Sequence, residues 1–251
     1  DYPYPYVIGG KIWEFPTTVP DDWQGQHLHR PFNPQTVEDY KAAADATVLK
    51  QGVANFVFHP GGWIRNAQMV DIIDHIDTKH GPRVKFLTFR ECQQRINKHL
   101  LAGEPLRAAN GQDNGVRLLD VNNDGFLDVV IGNQSVRATR LWLPEKKQWQ
   151  TTDFPIQIVH LDGQNNRRTA GVQFFVIRSD GHASLLVRNE REAGVWHFVD
   201  GRWRKDETML TGLEIGGKRL FTARGNRDLG VRLRDLDGDG RANDVCYVDT
   251  R

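Results

Sequence analysis

The sequence predicts an α+β protein of more than one domain: a partial α/β barrel followed by antiparallel β-propeller blades. Three observations lead there. Helix and strand signals alternate over residues 1–102. After a linker at 103–112, a unit recurs over 113–251, with starts near Gly115, Gly171 and Gly230 that are 56 and 59 residues apart. Each unit breaks into short apolar runs between Gly, Asn and Asp clusters, the composition of strands and turns.

In the first portion, Thr36 and Asp39 have the spacing of a capping pattern and open a helical stretch that stops at Gly52. The apolar, β-branched and aromatic run at 53–58 reads as a buried strand. "NAQMVDIIDHIDTKHG" places Met69, Val70, Ile73 and Ile76 on one helical face and ends at Gly81-Pro82. Residues 83–89 read as another strand, and "RECQQRINKHLLAG" as a third helix ending at Gly103. Asp21-Asp22 and "HLHRPFNP" lie among prolines and read as loop. Strands separated by helices of this length predict parallel βαβ pairing.

The repeats align without a gap: "GVRLLDVNNDGFLDVVIGN", "GVQFFVIRSDGHASLLVRN" and "GVRLRDLDGDGRANDVCYV". Downstream, "RLWLPEKKQWQ" places Trp142 and Trp149 where "GVWHFVDGRWR" places Trp196 and Trp203. A Trp-x6-Trp hairpin closing each unit suits aromatic packing between blades. The length and strand content fit propeller blades better than a helical solenoid. The third unit stops just after its first strand. A blade ending there leaves its face unburied, so the chain reads as an excerpt of a longer polypeptide.

Bulk properties narrow the classes. The 251 residues are 39% apolar and 26% charged, with Lys+Arg 33 against Asp+Glu 32. That balance gives no basic face, and nucleic acid is not an expected partner. No apolar run approaches the ~20 residues of a membrane span. "DYPYPYVIGG" has neither the basic nor the apolar region of a signal peptide. The two cysteines, Cys92 and Cys246, are 154 positions apart and read as buried thiols, not a disulfide framework or metal motif.

The Asp-rich loops carry the clearest ligand chemistry. Calcium takes 6–8 oxygen ligands on a tight loop. In the first repeat Asp120, Asn122, Asp124 and Asp128 stand at loop positions 1, 3, 5 and 9, with the Phe126 carbonyl at 7 and Gly125 at the turn. In the third, the same places hold Asp235, Asp237, Asp239 and Asn243, with the Arg241 carbonyl and Gly240. An EF-hand needs a Glu at position 12, where Ile131 and Cys246 stand instead. The middle repeat has Val176, Arg178, Asp180 and Ser184 at the ligand positions and is not expected to bind. The alternative is that all three are polar turns; Asp180-Gly181 persists in the middle copy because the turn itself needs it. Where calcium binds, a stabilising role is expected.

This half resembles the FG-GAP (integrin-α-like) propeller repeats over residues 103–251, with their D-x-[DN]-x-D-G-x-x-[DN] loop between the first two strands of a blade. The resemblance implies calcium in blade loops, an exported location (extracellular, periplasmic or cell-surface), and a ligand-binding or adhesive role toward a surface glycan or protein.

In the first portion, "FVFHPGGWI" puts His59 at the C-terminal end of the expected strand, where α/β barrels gather their active sites. Histidine exchanges protons near neutral pH; from the residue alone, a loop histidine with a structural hydrogen bond is the competing reading. "TVEDYKAAADATVLKQGVANFVFHPGGWIRNAQMVDIIDHI" and "VKFLTFREC" look like the C-terminal part of polysaccharide deacetylases, some of which are fused to FG-GAP repeats. His59 matches the position of the histidine in that family's late motif, an apolar strand ending in Leu-x-His or Phe-x-His, which implies that it protonates the leaving amine in de-N-acetylation of a carbohydrate polymer. Trp63 is the candidate sugar platform. The family holds its metal with an Asp and an H-x-x-x-H pair. Here His27 and His29 are two apart and His75 and His80 five apart, so Zn2+ or a similar ion is expected only if an N-terminal part outside this chain supplies ligands. The expected function is thus an exported deacetylase-type hydrolase, inactive as this excerpt. The alternative is a calcium-dependent glycan- or protein-binding module without catalysis.

Overall fold

The computed structural model describes residues 4–210, 213–242 and 244–247. It is a mixed α/β structure with several antiparallel sheets and, among the described residues, four α-helices. The chain divides into two compact units, Asp1–Cys92 and Gln93–Arg251. The break lies earlier than residue 102 and falls inside a helix.

The first unit opens with a hairpin, β1 (Tyr6–Ile8) and β2 (Ile12–Glu14). Helices α1 (Asp22–His29), α2 (Pro34–Leu49) and α3 (Asn66–His80) follow. α4 (Phe89–His99) runs across the unit boundary and stops before Gly103. α1 corrects the expectation of a loop. Asp21 accepts the Gln24 N–H at 2.7 Å, while Gln24 Oε1 accepts the Asp21 N–H at 3.2 Å. That is a capping box, and it starts a helix two residues after Pro20. α2 is capped by Asn33, with Pro34 in its first turn, not by Thr36. Thr36 instead fills the space over Gly25 of α1, where an added Cβ would lie 2.5 Å from its methyl. The helix ends with Gln51 at φ 56° and the Gly52 N–H bonded to Thr47 O, a Schellman arrangement.

α3 buries Ile72, Ile76 and His80, with Met69 beside them. Val70 and Ile73 are 53% and 49% exposed, so the buried face differs from the expected one. The spacing 69–72–76–80 tracks 3.6 residues per turn against Val37, Tyr40 and Ala44 of α2, and the tertiary neighbour chose that stripe.

The two expected strands, 53–58 and 83–89, carry no ladder among the described residues. Every strand pair observed is antiparallel. Apolar β-branched content makes a segment suitable for a strand, but pairing requires a neighbour with complementary backbone groups. Residue Asn55 exchanges hydrogen bonds with Thr18, and the Val57 carbonyl accepts the Tyr40 hydroxyl at 2.9 Å. Phe86 and Leu87 are 59% and 42% exposed.

In the second unit the first repeat forms a four-stranded meander: β3 (Val116–Leu119), β4 (Asp128–Gly132), β5 (Arg137–Leu143) and β6 (Gln148–Asp153). A short hairpin, β7 (Val159–Leu161) and β8 (Arg167–Thr169), leads into the second. The second repeat forms the same meander from β9 (Gln173–Val176), β10 (Ala183–Arg188), β11 (Ala193–Val199) and β12 (Arg202–Asp206). Two-residue strands follow as hairpins, β13 (Glu214–Ile215) with β14 (Lys218–Arg219), and β15 (Ala223–Arg224) with β16 (Arg227–Asp228). The third repeat contributes β17 (Val231–Arg234) and β18 (Asp244–Tyr247), two strands where one was expected.

The second repeat lies between the other two. Leu185, Val187 and Phe198 pack with Val130, Leu141 and Phe154 of the first. Phe175, Leu186 and Val195 pack with Ala242 and Leu233 of the third. β10 is therefore covered on both faces, which explains why "SLLV" is apolar without alternation. Trp203 joins Phe154, Phe174 and Phe198, and its Nε1–H donates to Thr139 Oγ1 at 2.8 Å.

The tryptophan hairpins are not equivalent. Trp142 sits directly across from Trp149, but Trp196 faces Lys205 and Trp203 faces Phe198. The tight turn at Asp200-Gly201, with φ 52° and 75°, shifts the register relative to the longer first-repeat turn. Cys92 is half-buried, not buried, and the Cys246 side chain lies outside the described residues.

Candidate functional site

The first candidate site grows from the start of α1. Because Asp21 caps the helix, Asp22 becomes its first residue, and its side chain is fully buried. One oxygen accepts the His59 backbone N–H at 2.7 Å; the other faces His59 Nδ1 at 2.6 Å. A carboxylate only accepts, so Nδ1 is the donor. That fixes the tautomer and leaves Nε2 as the working nitrogen of a ring whose side chain is 42% exposed. The helix N-terminus favours the buried negative charge.

Tyr40 forms the floor. It is fully buried, stacks on Phe58 with ring centroids 5.2 Å apart, and meets Phe56 edge-on at 5.3 Å. Burial, then the Asp22 and Asp21 carboxylates, push its phenol above the ordinary tyrosine range. Tyr40 thus anchors the segment leading to His59 as a neutral hydrogen-bond donor. After His59, a turn through Pro60, Gly61 and Gly62 brings Trp63 back beside the imidazole, with ring centroids 5.1 Å apart. Both sequence-predicted residues of this site, His59 and Trp63, therefore come together.

Asp22 was not legible as a partner, since 37 residues separate it from His59. The available signal was the Asp21-x-x-Gln24 capping spacing, which makes Asp22 a helical residue.

A second cluster joins α2 to α3. Asp45 Oδ1 meets His75 Nε2 at 3.0 Å and His80 Nε2 at 2.6 Å, while Oδ2 accepts Lys79 at 2.6 Å. These are metal-ligating residue types within reach of one another. The Arg83 guanidinium, however, lies 2.9 Å from His80 Nδ1. Arginine only donates, so Nδ1 is an acceptor and the proton sits on Nε2, toward Asp45. A metal at Nε2 needs the opposite tautomer. The cluster is thus arranged as three donors on one carboxylate. Burial raises the Asp45 pKa, but the hydrogen bonds from Lys79, His80 and His75 outweigh it and hold the carboxyl well below the usual range.

Compared with protein-family models, curated proteins and solved structures, the chain matches none.

In the second unit, the β3–β4 loop folds around Asp120. Its oxygens accept the Asp124 N–H at 3.1 Å and the Gly125 N–H at 2.8 Å, and Asp124 accepts the Phe126 N–H at 2.9 Å. Asn122 donates to Asp124, leaving its own Oδ1 buried without a partner. Asp128 behaves differently. It is fully buried, and its two oxygens accept the backbone N–H groups of Val121 at 3.0 Å and Trp142 at 2.8 Å. Burial pushes its carboxyl up to about 6, opposed by those two bonds and aided by Asp124 and Asp120.

In the β17–β18 loop the carboxylates of Asp235, Asp237 and Asp239 converge, all within 4.8 Å of one another. Asp235 accepts the Gly238 and Gly240 N–H groups; Asp239 accepts the Arg241 N–H and pairs with the Arg241 guanidinium. Asn243 lies outside the described residues. In the middle loop Arg178 forms two hydrogen bonds to Asp180, at 3.0 and 2.7 Å. A cationic side chain there already neutralises the carboxylate. The first two loops also touch: Asn123 donates to Asp180 O at 3.2 Å and packs against Gly181.

Proposed function

We propose that the first unit acts on N-acetylated carbohydrate polymer, as part of an exported polysaccharide deacetylase-type hydrolase in which His59 supplies the proton to the leaving amine. The Asp22–His59 pair carries this proposal. Hydrolysis of an acetamide adds water to the carbonyl and expels an amine, which departs only once protonated. An imidazole held by a carboxylate at Nδ1 is suited to take up, at its open Nε2, the proton that the attacking water loses and then pass it to the leaving amine. Asp22 is buried and acts through His59 as a positioning residue. Trp63 offers an aromatic face for a sugar ring.

Water activation is a separate requirement. Among the described residues no metal-ligating group of three or more includes Asp22 and His59. A Zn2+-type ion therefore does not fit the residues gathered there, and no step is assigned to it. The pair supports binding and proton transfer, and no turnover of chitooligosaccharide is expected from these 251 residues. Titration with chitotetraose, followed through the His59 ring resonances, tests the proposal. Saturable shifts that weaken in Trp63→Ala are expected; unchanged resonances at millimolar sugar overturn it.

The Asp-rich loops favour a second reading for the second unit, a calcium-dependent module that holds a glycan or protein without catalysis. The convergent Asp235, Asp237 and Asp239 and the unpartnered Asn122 oxygen fit a hard cation. In this reading Ca2+ is held by Asp120, Asn122, Asp124 and the Phe126 carbonyl, and by Asp235, Asp237, Asp239 and the Arg241 carbonyl. Its role is to stiffen the loop between the first two strands of a repeat, which this reading takes as a propeller blade.

A further inference from the structure

Beside His59 lies a strip that proton transfer does not use. The Trp63 carbonyl accepts the Phe32 N–H at 2.9 Å, and Gln68 Nε2 donates to the Phe32 carbonyl at 3.1 Å. Phe32 is thus fixed on both sides by the segment that follows His59. It sits at φ 64°, with Arg30 at 77° two residues earlier. That region is unfavourable for a bulky residue and marks a conformation imposed by its surroundings. The strain is not offset by core burial, since Phe32 is 40% exposed.

The exposed Arg65 completes the strip. Its Cζ lies 4.9 Å from the centroid of the Phe32 ring. Among the described residues no ion pair includes Arg65, which is exposed. A guanidinium lying on an aromatic face is oriented and partly stripped of water, and its fork of N–H donors stays available to a planar anion. Trp63 lies beside the imidazole and Phe32 beneath Arg65, so an aromatic ring stands next to each of the two polar groups.

We propose that Phe32, Trp63 and Arg65 form an anion-specific carbohydrate subsite. The sugar chain that engages His59 bears a carboxylate or sulfate, and Arg65 binds it. This rests on the carbohydrate reading of the His59 site and adds its substrate class.

Calorimetry at low ionic strength on the 251-residue protein separates the two ideas. The probes are chitotetraose, its 6-O-sulfated form, and a tetrasaccharide alternating N-acetylglucosamine with glucuronate. At least one anionic sugar is expected to bind about tenfold more tightly than the neutral one, and which one identifies the anion. Arg65→Gln is expected to abolish that advantage, so that the anionic and neutral sugars bind alike. Arg65→Lys retains part of it, because a point charge replaces the planar fork. Equal affinities for all three sugars, or an advantage that survives Arg65→Gln, overturn the anion subsite. If chitotetraose still binds in that case, the carbohydrate reading stands; if no sugar binds, both fall.

Discussion

Asp22 and His59 are joined twice, once through the His59 backbone N–H and once through its ring, by a carboxylate with no exposure to water. Asp22→Asn keeps the shape but places an amide N–H₂ against one of the two donors. It is expected to move the ring proton from Nδ1 to Nε2 and to lower stability by about 2 kcal/mol. Long-range nitrogen–proton NMR of the imidazole reads the tautomer, and denaturant unfolding reads the stability. An unchanged tautomer would show that Asp22 does not set the ring.

Calcium is expected to raise the melting temperature, through preferential binding to the folded state. Asp239→Ala removes one of three convergent carboxylates, and Asp124→Ala removes the first-loop acceptor of the Phe126 N–H. Each is expected to blunt the rise. No change in melting temperature between calcium and chelator, in folded protein, sinks the calcium assignment.

Asp128 is expected to matter without any cation. Asp128→Ala leaves the buried Val121 N–H and the part-buried Trp142 N–H without acceptors. The expected loss is about 2–4 kcal/mol in chelator, against less than about 1 kcal/mol for the exposed Asp124→Ala. Similar losses for both variants would contradict the division of roles drawn from their burial.

Asp45 predicts an acid-sensitive helix pair. Its folded carboxyl is held below the unfolded value of 3.8, so the unfolded chain takes up the proton first as pH falls. The stability it contributes is complete above about pH 4 and is lost progressively below it. Asp45→Asn is expected to cost about 1–2 kcal/mol at pH 7 and to flatten the acid limb of the stability profile. An unaltered slope between pH 2 and about 5 would exclude Asp45 as its source.

The helices were legible where their ends are chemically local. Gly52 closes α2 and Gly81 ends α3, each through contacts within a few residues, whereas the start of α2 was read at Thr36 and is set by Asn33 and Pro34. α1 was hidden because Pro20 and Pro31 frame it, although Asp21 and Gln24 carry its capping spacing. The apolar run at 53–58 stated its suitability for a strand and nothing about a partner. His59 and Trp63 were visible as a short motif; Asp22, Phe32 and Arg65 were not, since their relation to His59 depends on how α1 and the turn after His59 pack.

The spacing of the repeats, the Asp-Gly turns and the contrast between the acidic loops and the Arg178 loop are written in the residues alone. These are local: the turn residues set their own backbone, and Arg178 and Asp180 are two residues apart. Only the tertiary structure decided which aspartates face a loop interior and which, like Asp128, hold the backbone. It also decided which stripe of α3 is buried and that a carboxylate at the start of α1 meets His59. Burial and long-range hydrogen bonding depend on neighbours brought together by the fold, and one chain segment carries no record of those neighbours.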